Sequence, residues 1–134
     1  MASEFTVSAI IPADPTAVYD AWLTSKSHAA MTGSPARVSG RPSGRFTAWD
    51  GYIEGKNLKL VSGARIVQAW RTTEFAETDS DSQIDVSVEK APGGTKLTIH
   101  HTSIPGGQSD YKSGWSTCYF EPMKAYFRAA RKKG

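Results

Sequence analysis

The chain has 134 residues, a net charge of +3, 39% hydrophobic residues and 22% charged residues. These values exclude a disordered or fibrous chain and are typical of one globular domain, which we expect to span residues 1–134. Cys118 stands alone, which excludes an internal disulfide and is typical of a reducing compartment.

The N-terminal residues carry no sign of a targeting segment. Residues 1–5 lack the basic region and apolar stretch that mark a signal peptide. No apolar run approaches the roughly 18 residues that a membrane-spanning helix requires. We therefore expect a cytoplasmic protein without a membrane span.

A strand and a short helix are predicted at the start of the chain. Residues 5–11 are rich in β-branched residues and alternate at first, which predicts a strand. Asp14 before Pro15 is a helix-start signal, and apolar pairs four residues apart extend the predicted helix over residues 15–23.

A second short helix is predicted directly after the first. It begins after Thr24 or Ser25 and runs to Met31, because Gly33 favours a helix end. Residues 32–44 contain three glycines and two prolines, so we expect mostly loop there.

Five more strands are predicted in the middle of the chain. Asp50-Gly51 and Pro92-Gly93-Gly94 are hairpin signals between them, and consecutive hairpins imply an antiparallel sheet. The predicted strands cover residues 45–49, 52–61, 64–71, 83–90 and 95–102.

Strand alternation predicts which side chains face the interior. Phe46, Gln68, Trp70 and His101 fall on the inner face, among aliphatic residues of the same parity. The same alternation puts Trp49 on the outer face by parity, which leaves its orientation ambiguous.

The C-terminal segment is predicted as one helix from Ser109 to about Ala130, bent at Pro122. Its apolar residues fall into two adjoining stripes, which together are broader than a surface helix needs. Such a helix either covers a thick core or lines a cavity. The two stripes are Tyr111, Trp115, Tyr119 and Tyr126, and Phe120, Met123 and Phe127.

The order of these elements resembles the helix-grip fold of the START-like (SRPBCC) superfamily. Local segments are similar to the branch related to the activator of heat-shock protein 90 ATPase. The segments are VYDAW (18–22), GRFTAWDGYIEG (44–55), RIVQAWR (65–71), GW (114–115) and EPMKAYF (121–127). The resemblance implies an α+β fold, in which a curved antiparallel sheet wraps around the long C-terminal helix and a short helix pair follows the first strand.

The resemblance and the broad aromatic helix face favour a binding protein for a hydrophobic small molecule. Such a protein would hold its ligand in a closed cavity between the sheet and the C-terminal helix, with inward polar groups as anchors. The predicted ligand-binding residues are Trp22, Met31, Phe46, Gln68, Trp70, His101, Trp115, Tyr119 and Met123.

Two other functions stay open. The resemblance also implies a co-chaperone-like module that binds a chaperone through an exposed, mixed surface patch. Eukaryotic co-chaperones of this branch carry a further N-terminal domain, and this chain begins at its first predicted strand. Within this alternative, ATPase activation is therefore not expected, and chaperone binding stays open. The third alternative is a cyclase- or hydrolase-like enzyme, in which His101 would be the simplest candidate base.

The sequence gives no sign of metal, cofactor or nucleic-acid chemistry. His100 and His101 are adjacent in a strand and face opposite ways, and His28 lies in the helix pair, so no zinc site is predicted. No phosphate loop or nucleophile motif is present, so no cofactor and no catalytic residue is predicted. The basic C-terminal tail lacks an accompanying aromatic motif, and we expect no nucleic-acid binding. The sequence does not indicate an oligomeric state.

Overall fold

The computed structural model describes residues 3–108 and 110–133 of the chain. Seven antiparallel strands form one curved, open sheet in the order β1-β7-β6-β5-β4-β3-β2. The strands are Ser3–Ile11 (β1), Arg37–Val38 (β2), Arg45–Ala48 (β3), Ile53–Val61 (β4), Arg65–Thr72 (β5), Ser82–Ala91 (β6) and Gly94–Ile104 (β7). The predicted antiparallel α+β fold is confirmed.

The sheet contains one strand that the sequence did not predict. β2 has two residues, lies in the loop rich in glycine and proline, and pairs Arg37 with Thr47 of β3. A two-residue strand is too short to produce a periodic signal in the sequence. It is recognised in the structure by its pairing with β3.

Two short helices follow β1, as predicted. They are Pro15–Trp22 (α1) and Ser25–Thr32 (α2). Asp14 occupies the N-cap position of α1 without a side-chain capping bond, and Pro15 sits in the first turn. Gly33 ends α2 in the left-handed conformation, at φ +76°, which glycine adopts without steric cost.

The C-terminal helical segment is divided into three parts. Tyr111–Trp115 (α3) leads into a π-helical turn over Ser116–Phe120, and Glu121–Lys133 (α4) follows. The predicted start at Ser109 lies outside the described residues. No helix within the described ranges has the length and apolar character needed to cross a membrane.

Pro122 gives a physical reason for the π-turn. Proline has no N–H, so the carbonyl of Cys118 lacks the donor that an α-helix would place four residues later. The turn widens just before Pro122, and the Glu121 N–H bonds to the carbonyl of Ser116, five residues back. The structure therefore shows a change of helix type just before Pro122, where the sequence predicted a bend.

The π-turn brings the two predicted apolar stripes together. It adds one residue relative to an α-helix, which rotates the following side chains by about 100°. The residues of both stripes, apart from the half-buried Tyr126, are therefore buried against the sheet. These buried residues are Tyr111, Trp115, Tyr119, Phe120, Met123 and Phe127.

Candidate ligand cavity

A cavity of about 260 Å³ lies between the sheet and the first half of the C-terminal segment, and it is partly open to solvent. The turn between β3 and β4, the beginning of β4 and the middle of β5 form one side. α3 and the π-turn form the other. The lining residues are Trp49, Tyr52, Ile53, Trp70, Tyr111, Gly114, Trp115, Cys118 and Tyr119.

Trp49 reaches the cavity because the backbone is unusual at the end of β3. Trp49 has φ +52°, Asp50 has φ +56° and Gly51 has φ +87°. A left-handed residue interrupts the alternation of a strand, so parity no longer predicts where its side chain points. Parity left the orientation of Trp49 ambiguous, and the structure places this residue in the cavity wall. The Asp50 N–H donates to the carbonyl of Pro35, at 2.9 Å, and anchors the turn.

The helical wall has a gap at Gly114. A Cβ atom built on Gly114 would meet no atom within 4 Å, apart from its own helix backbone and chain neighbours. Glycine inside a helix is less favourable than alanine by about 1 kcal/mol. Any residue other than glycine at position 114 would place its side chain in this space, which instead forms part of the cavity. Cys118, four residues later, lines the same wall with its free thiol.

Hydrogen bonds fix the hydroxyls of Tyr52 and Tyr111, two of the three tyrosines of the wall. The Tyr52 O–H donates to the Glu74 carboxylate. The Tyr111 O–H donates to Gln108 Oε1, at 2.8 Å, and the Thr72 hydroxyl lies 2.7 Å from the Tyr111 oxygen. Burial raises the pKa of both tyrosines, and the Glu74 carboxylate adds to the effect at Tyr52. Both hydroxyls are therefore protonated at neutral pH.

Behind the cavity, His101 is fully buried between two partners. The Ser82 hydroxyl donates to the carbonyl of Trp70, so it accepts from His101 Nε2–H, at 2.9 Å. His101 Nδ1 accepts from the indole N–H of Trp115, at 3.1 Å. Burial lowers the pKa of His101 to about 3. Since one ring nitrogen donates and the other accepts, these bonds fit the neutral ring.

His28 is the second buried histidine, and its bonds also fit a neutral ring. Its Nδ1–H donates to the carbonyl of Trp22, at 2.8 Å, and its Nε2 accepts from the Tyr119 hydroxyl, at 2.8 Å. Burial lowers the pKa of His28, although the Trp22 carbonyl opposes the shift. The bond to Tyr119 ties α2 to the π-turn.

Gln68 uses its amide within the protein. Its Oε1 accepts from the Trp22 indole, at 3.2 Å, and its Nε2 donates to Asn57 Oδ1, at 2.9 Å. Asn57 in turn donates to the carbonyls of Ser39 and Arg41. This chain of bonds connects α1, β5, β4 and the loop before β3.

Three of the nine predicted ligand-binding residues line the cavity: Trp70, Trp115 and Tyr119. The other six lie in the packed interior and are each at most 5% exposed. Their side chains fill the space further under the helix. The cavity that remains is partly open, whereas a closed cavity was predicted. These six residues are Trp22, Met31, Phe46, Gln68, His101 and Met123.

The other six lining residues were not predicted from the sequence. Tyr111, Gly114 and Cys118 share a helix face at spacings of three and four, a signal that was available. Trp49, Tyr52 and Ile53 lie in and beside a turn whose left-handed backbone no sequence period reveals.

No metal-ligand cluster is found in the described part of the chain, where no three His, Cys, Asp or Glu side chains converge suitably. The cavity wall itself contains no carboxylate and no imidazole. Its titratable groups are the tyrosine hydroxyls and the Cys118 thiol.

Comparison with known proteins gives a family match over most of the chain. A family model described as "Activator of Hsp90 ATPase homolog 1-like protein" matches residues 12–128. "Activator of 90 kDa heat shock protein ATPase homolog 2" of Mus musculus is 28% identical over 92 residues, which are 68% of this chain and 28% of the relative. The Dictyostelium discoideum "Activator of 90 kDa heat shock protein ATPase homolog" is 28% identical over 120 residues, which are 88% of this chain and 31% of the relative. The chain spans under a third of the length of either relative.

Solved structures share the fold at low sequence identity. An HSP90 activator from Plasmodium falciparum superposes with a TM-score of 0.79 at 22% identity, covering 95% of this chain and 96% of that one. A protein from Mesorhizobium loti gives a TM-score of 0.78 at 16% identity, covering 95% and 98%. Identities this low establish the shared fold alone.

Proposed function

We propose that this chain, which belongs to the family of Activator of Hsp90 ATPase homolog 1-like proteins, binds an apolar small molecule in the cavity. The composition of the wall carries the proposal: six of the nine lining residues are aromatic. Concave, mostly apolar surfaces with few polar groups are the common form of small-molecule sites.

The size of the cavity limits the ligand. About 260 Å³ lies just below the range of roughly 300–1,000 Å³ that is typical of sites for drug-sized molecules. A molecule with one or two rings, or a short acyl chain, fits this volume. The flat faces of Trp49, Trp70 and Trp115 favour a planar ring, because aromatic pairs gain energy beyond the area that they bury.

The proposal is tested by protection of Cys118, the one cysteine of the chain. With 2-ethylnaphthalene as the probe at about four times its Kd, reaction of Cys118 with a thiol reagent should slow about fivefold, because only the free protein reacts. The double variant Cys118→Ser/Thr117→Cys is the matched control, because Thr117 is exposed on the same helical turn. Its thiol should react at the same rate with and without the probe. Equal rates for wild-type Cys118, with this probe and with its acetyl analogue 2-acetylnaphthalene, would contradict ligand binding in the cavity.

A second candidate function is docking onto heat-shock protein 90, which the names of the relatives favour. The β4 patch, defined as Leu58, Lys59 and Val61, supports it. Leu58 and Val61 are 46% and 40% exposed, with the exposed Lys59 between them. Exposed aliphatic side chains beside a charge are the kind of mixed surface on which a protein partner docks.

Docking is tested with the double variant Leu58→Asp/Val61→Asp. Its affinity for heat-shock protein 90, measured by calorimetry alongside the ATPase rate, should fall at least about tenfold, because two apolar contacts become buried charges. Ile10→Asp is the matched control, because Ile10 is 42% exposed on β1 at the far edge of the sheet. A wild-type chain that neither binds the chaperone nor changes its ATPase rate rules this candidate out.

A further inference from the structure

One polar atom beside the cavity lacks a partner. Among the described residues, Trp49 Nε1 is the buried side-chain nitrogen or oxygen without a hydrogen-bond partner. The nitrogen is also closed to solvent, so water does not satisfy it. Such a group is unfavourable in a folded protein and calls for a specific explanation.

Four other indole and hydroxyl donors around the cavity are already in use. The indoles of Trp22 and Trp115 donate to Gln68 and His101. The hydroxyls of Tyr52 and Tyr111 donate to Glu74 and Gln108. Trp49, a residue of the cavity wall, therefore has an indole N–H that is closed to solvent and has no acceptor inside the protein.

The backbone of Trp49 adds a second unfavourable feature at the same residue. A bulky residue with φ +52° is an outlier, because its Cβ crowds the following carbonyl. Strained conformations persist where the surrounding structure enforces them, and they cluster at ligand sites. Here the bond from Asp50 N–H to the Pro35 carbonyl holds the turn in place.

We infer that the ligand of this cavity carries a hydrogen-bond acceptor, such as a carbonyl, carboxyl or ether oxygen, which the indole N–H of Trp49 recognises. The inference rests on the proposed function and narrows it from apolar molecules to apolar molecules with one acceptor. The nitrogen is covered in the structure, so the indole turns within the wall when the ligand binds. No hydrogen bond among the described residues holds the ring against that motion.

The test compares two probes of nearly equal shape, 2-acetylnaphthalene and 2-ethylnaphthalene, on wild type and on Trp49→Phe. Transfer of the acetyl compound out of water costs more free energy than transfer of the ethyl compound. This difference cancels when the affinity ratio on wild type is compared with the ratio on Trp49→Phe. We expect the ratio of the two affinities to shift about tenfold against the acetyl compound in Trp49→Phe, as for one lost hydrogen bond.

A measurement on wild type alone covers the case in which Trp49→Phe fails to fold. In ¹H–¹⁵N spectra of the indole groups, 2-acetylnaphthalene should move the Trp49 Nε1–H signal downfield, and 2-ethylnaphthalene should not. Both probes binding, with an unchanged ratio and equal Trp49 shifts, would overturn the acceptor while leaving the cavity function intact. Failure of both probes to protect Cys118 would overturn the proposed function and the acceptor together.

Discussion

Gly114→Leu is expected to abolish ligand binding while making the protein more stable. The space beside Gly114 accepts a Cβ without a clash and continues into the cavity, so a leucine side chain would occupy the ligand's position. Burial of the side chain and removal of a helical glycine should raise the free energy of unfolding by about 1–2 kcal/mol, or roughly 3–8 °C in Tm. Affinity for 2-ethylnaphthalene should fall at least about tenfold.

These opposite effects separate loss of the site from loss of the fold. Thr117→Leu is the matched control, because it adds a similar side chain to the exposed face of the same helical segment. It should change neither affinity nor the free energy of unfolding by more than about 0.5 kcal/mol. If Gly114→Leu still bound the probe with wild-type affinity, the ligand would occupy a different place.

The stability of the chain is expected to fall steeply as the pH drops from 6.5 to 4.5. Burial lowers the pKa of His101 to about 3, from 6.5 in the unfolded chain. Between pH 6.5 and about pH 3, His101 therefore binds a proton in the unfolded chain but not in the folded chain. Stability is intact above pH 6.5 and falls by about 1.4 kcal/mol per pH unit until the folded His101 titrates near pH 3. The lowered pKa of His28 acts in the same direction.

Urea unfolding at several pH values measures this loss, which His101 alone brings to about 3 kcal/mol at pH 4.5. Such a loss is large beside the 5–15 kcal/mol that typically stabilises a domain. His101→Gln should lower the free energy of unfolding by about 1–3 kcal/mol at pH 7.5, because it disturbs the bonds to Ser82 and Trp115. It should also reduce the slope of the free energy of unfolding against pH, below pH 6.5, by the equivalent of about one proton. The exposed His100→Gln should change the value at pH 7.5 by no more than about 0.5 kcal/mol. An unchanged slope in His101→Gln would show that His101 is not the titrating group.

The sheet could be predicted because its signals are local. β-branched alternation and glycine turns marked six of the seven strands, and hairpin connections required antiparallel pairing. β2 was missed because two residues carry no period. The cavity could be predicted only in part, because its position depends on features that have no period. One is the left-handed Trp49, and another is the space beside Gly114.

The breadth of the helix stripe was the most informative signal. Such breadth predicts a thick core or a cavity, and the structure has packed aromatic residues beside a modest cavity. The stripe is broad because it consists of two narrow stripes that are offset by one residue around the helix. The extra residue of the π-turn removes this offset. The shift between Trp115 and Met123 was visible in the sequence, with Pro122 beside it, but a constant 3.6-residue period could not represent it.

The π-turn over Ser116–Phe120 also makes the site unusually sensitive to insertions and deletions. Deleting one residue from this turn would restore α-helical spacing and rotate the α3 face by about 100° relative to α4. Tyr111, Gly114 and Trp115 would then turn away from β5, while α4 kept its own packing against the sheet. The presence of one extra residue therefore determines whether the apolar faces of α3 and α4 both point toward the sheet. When relatives of this chain are aligned, a gap in these five positions marks a chain whose cavity wall is built differently, however similar its fold.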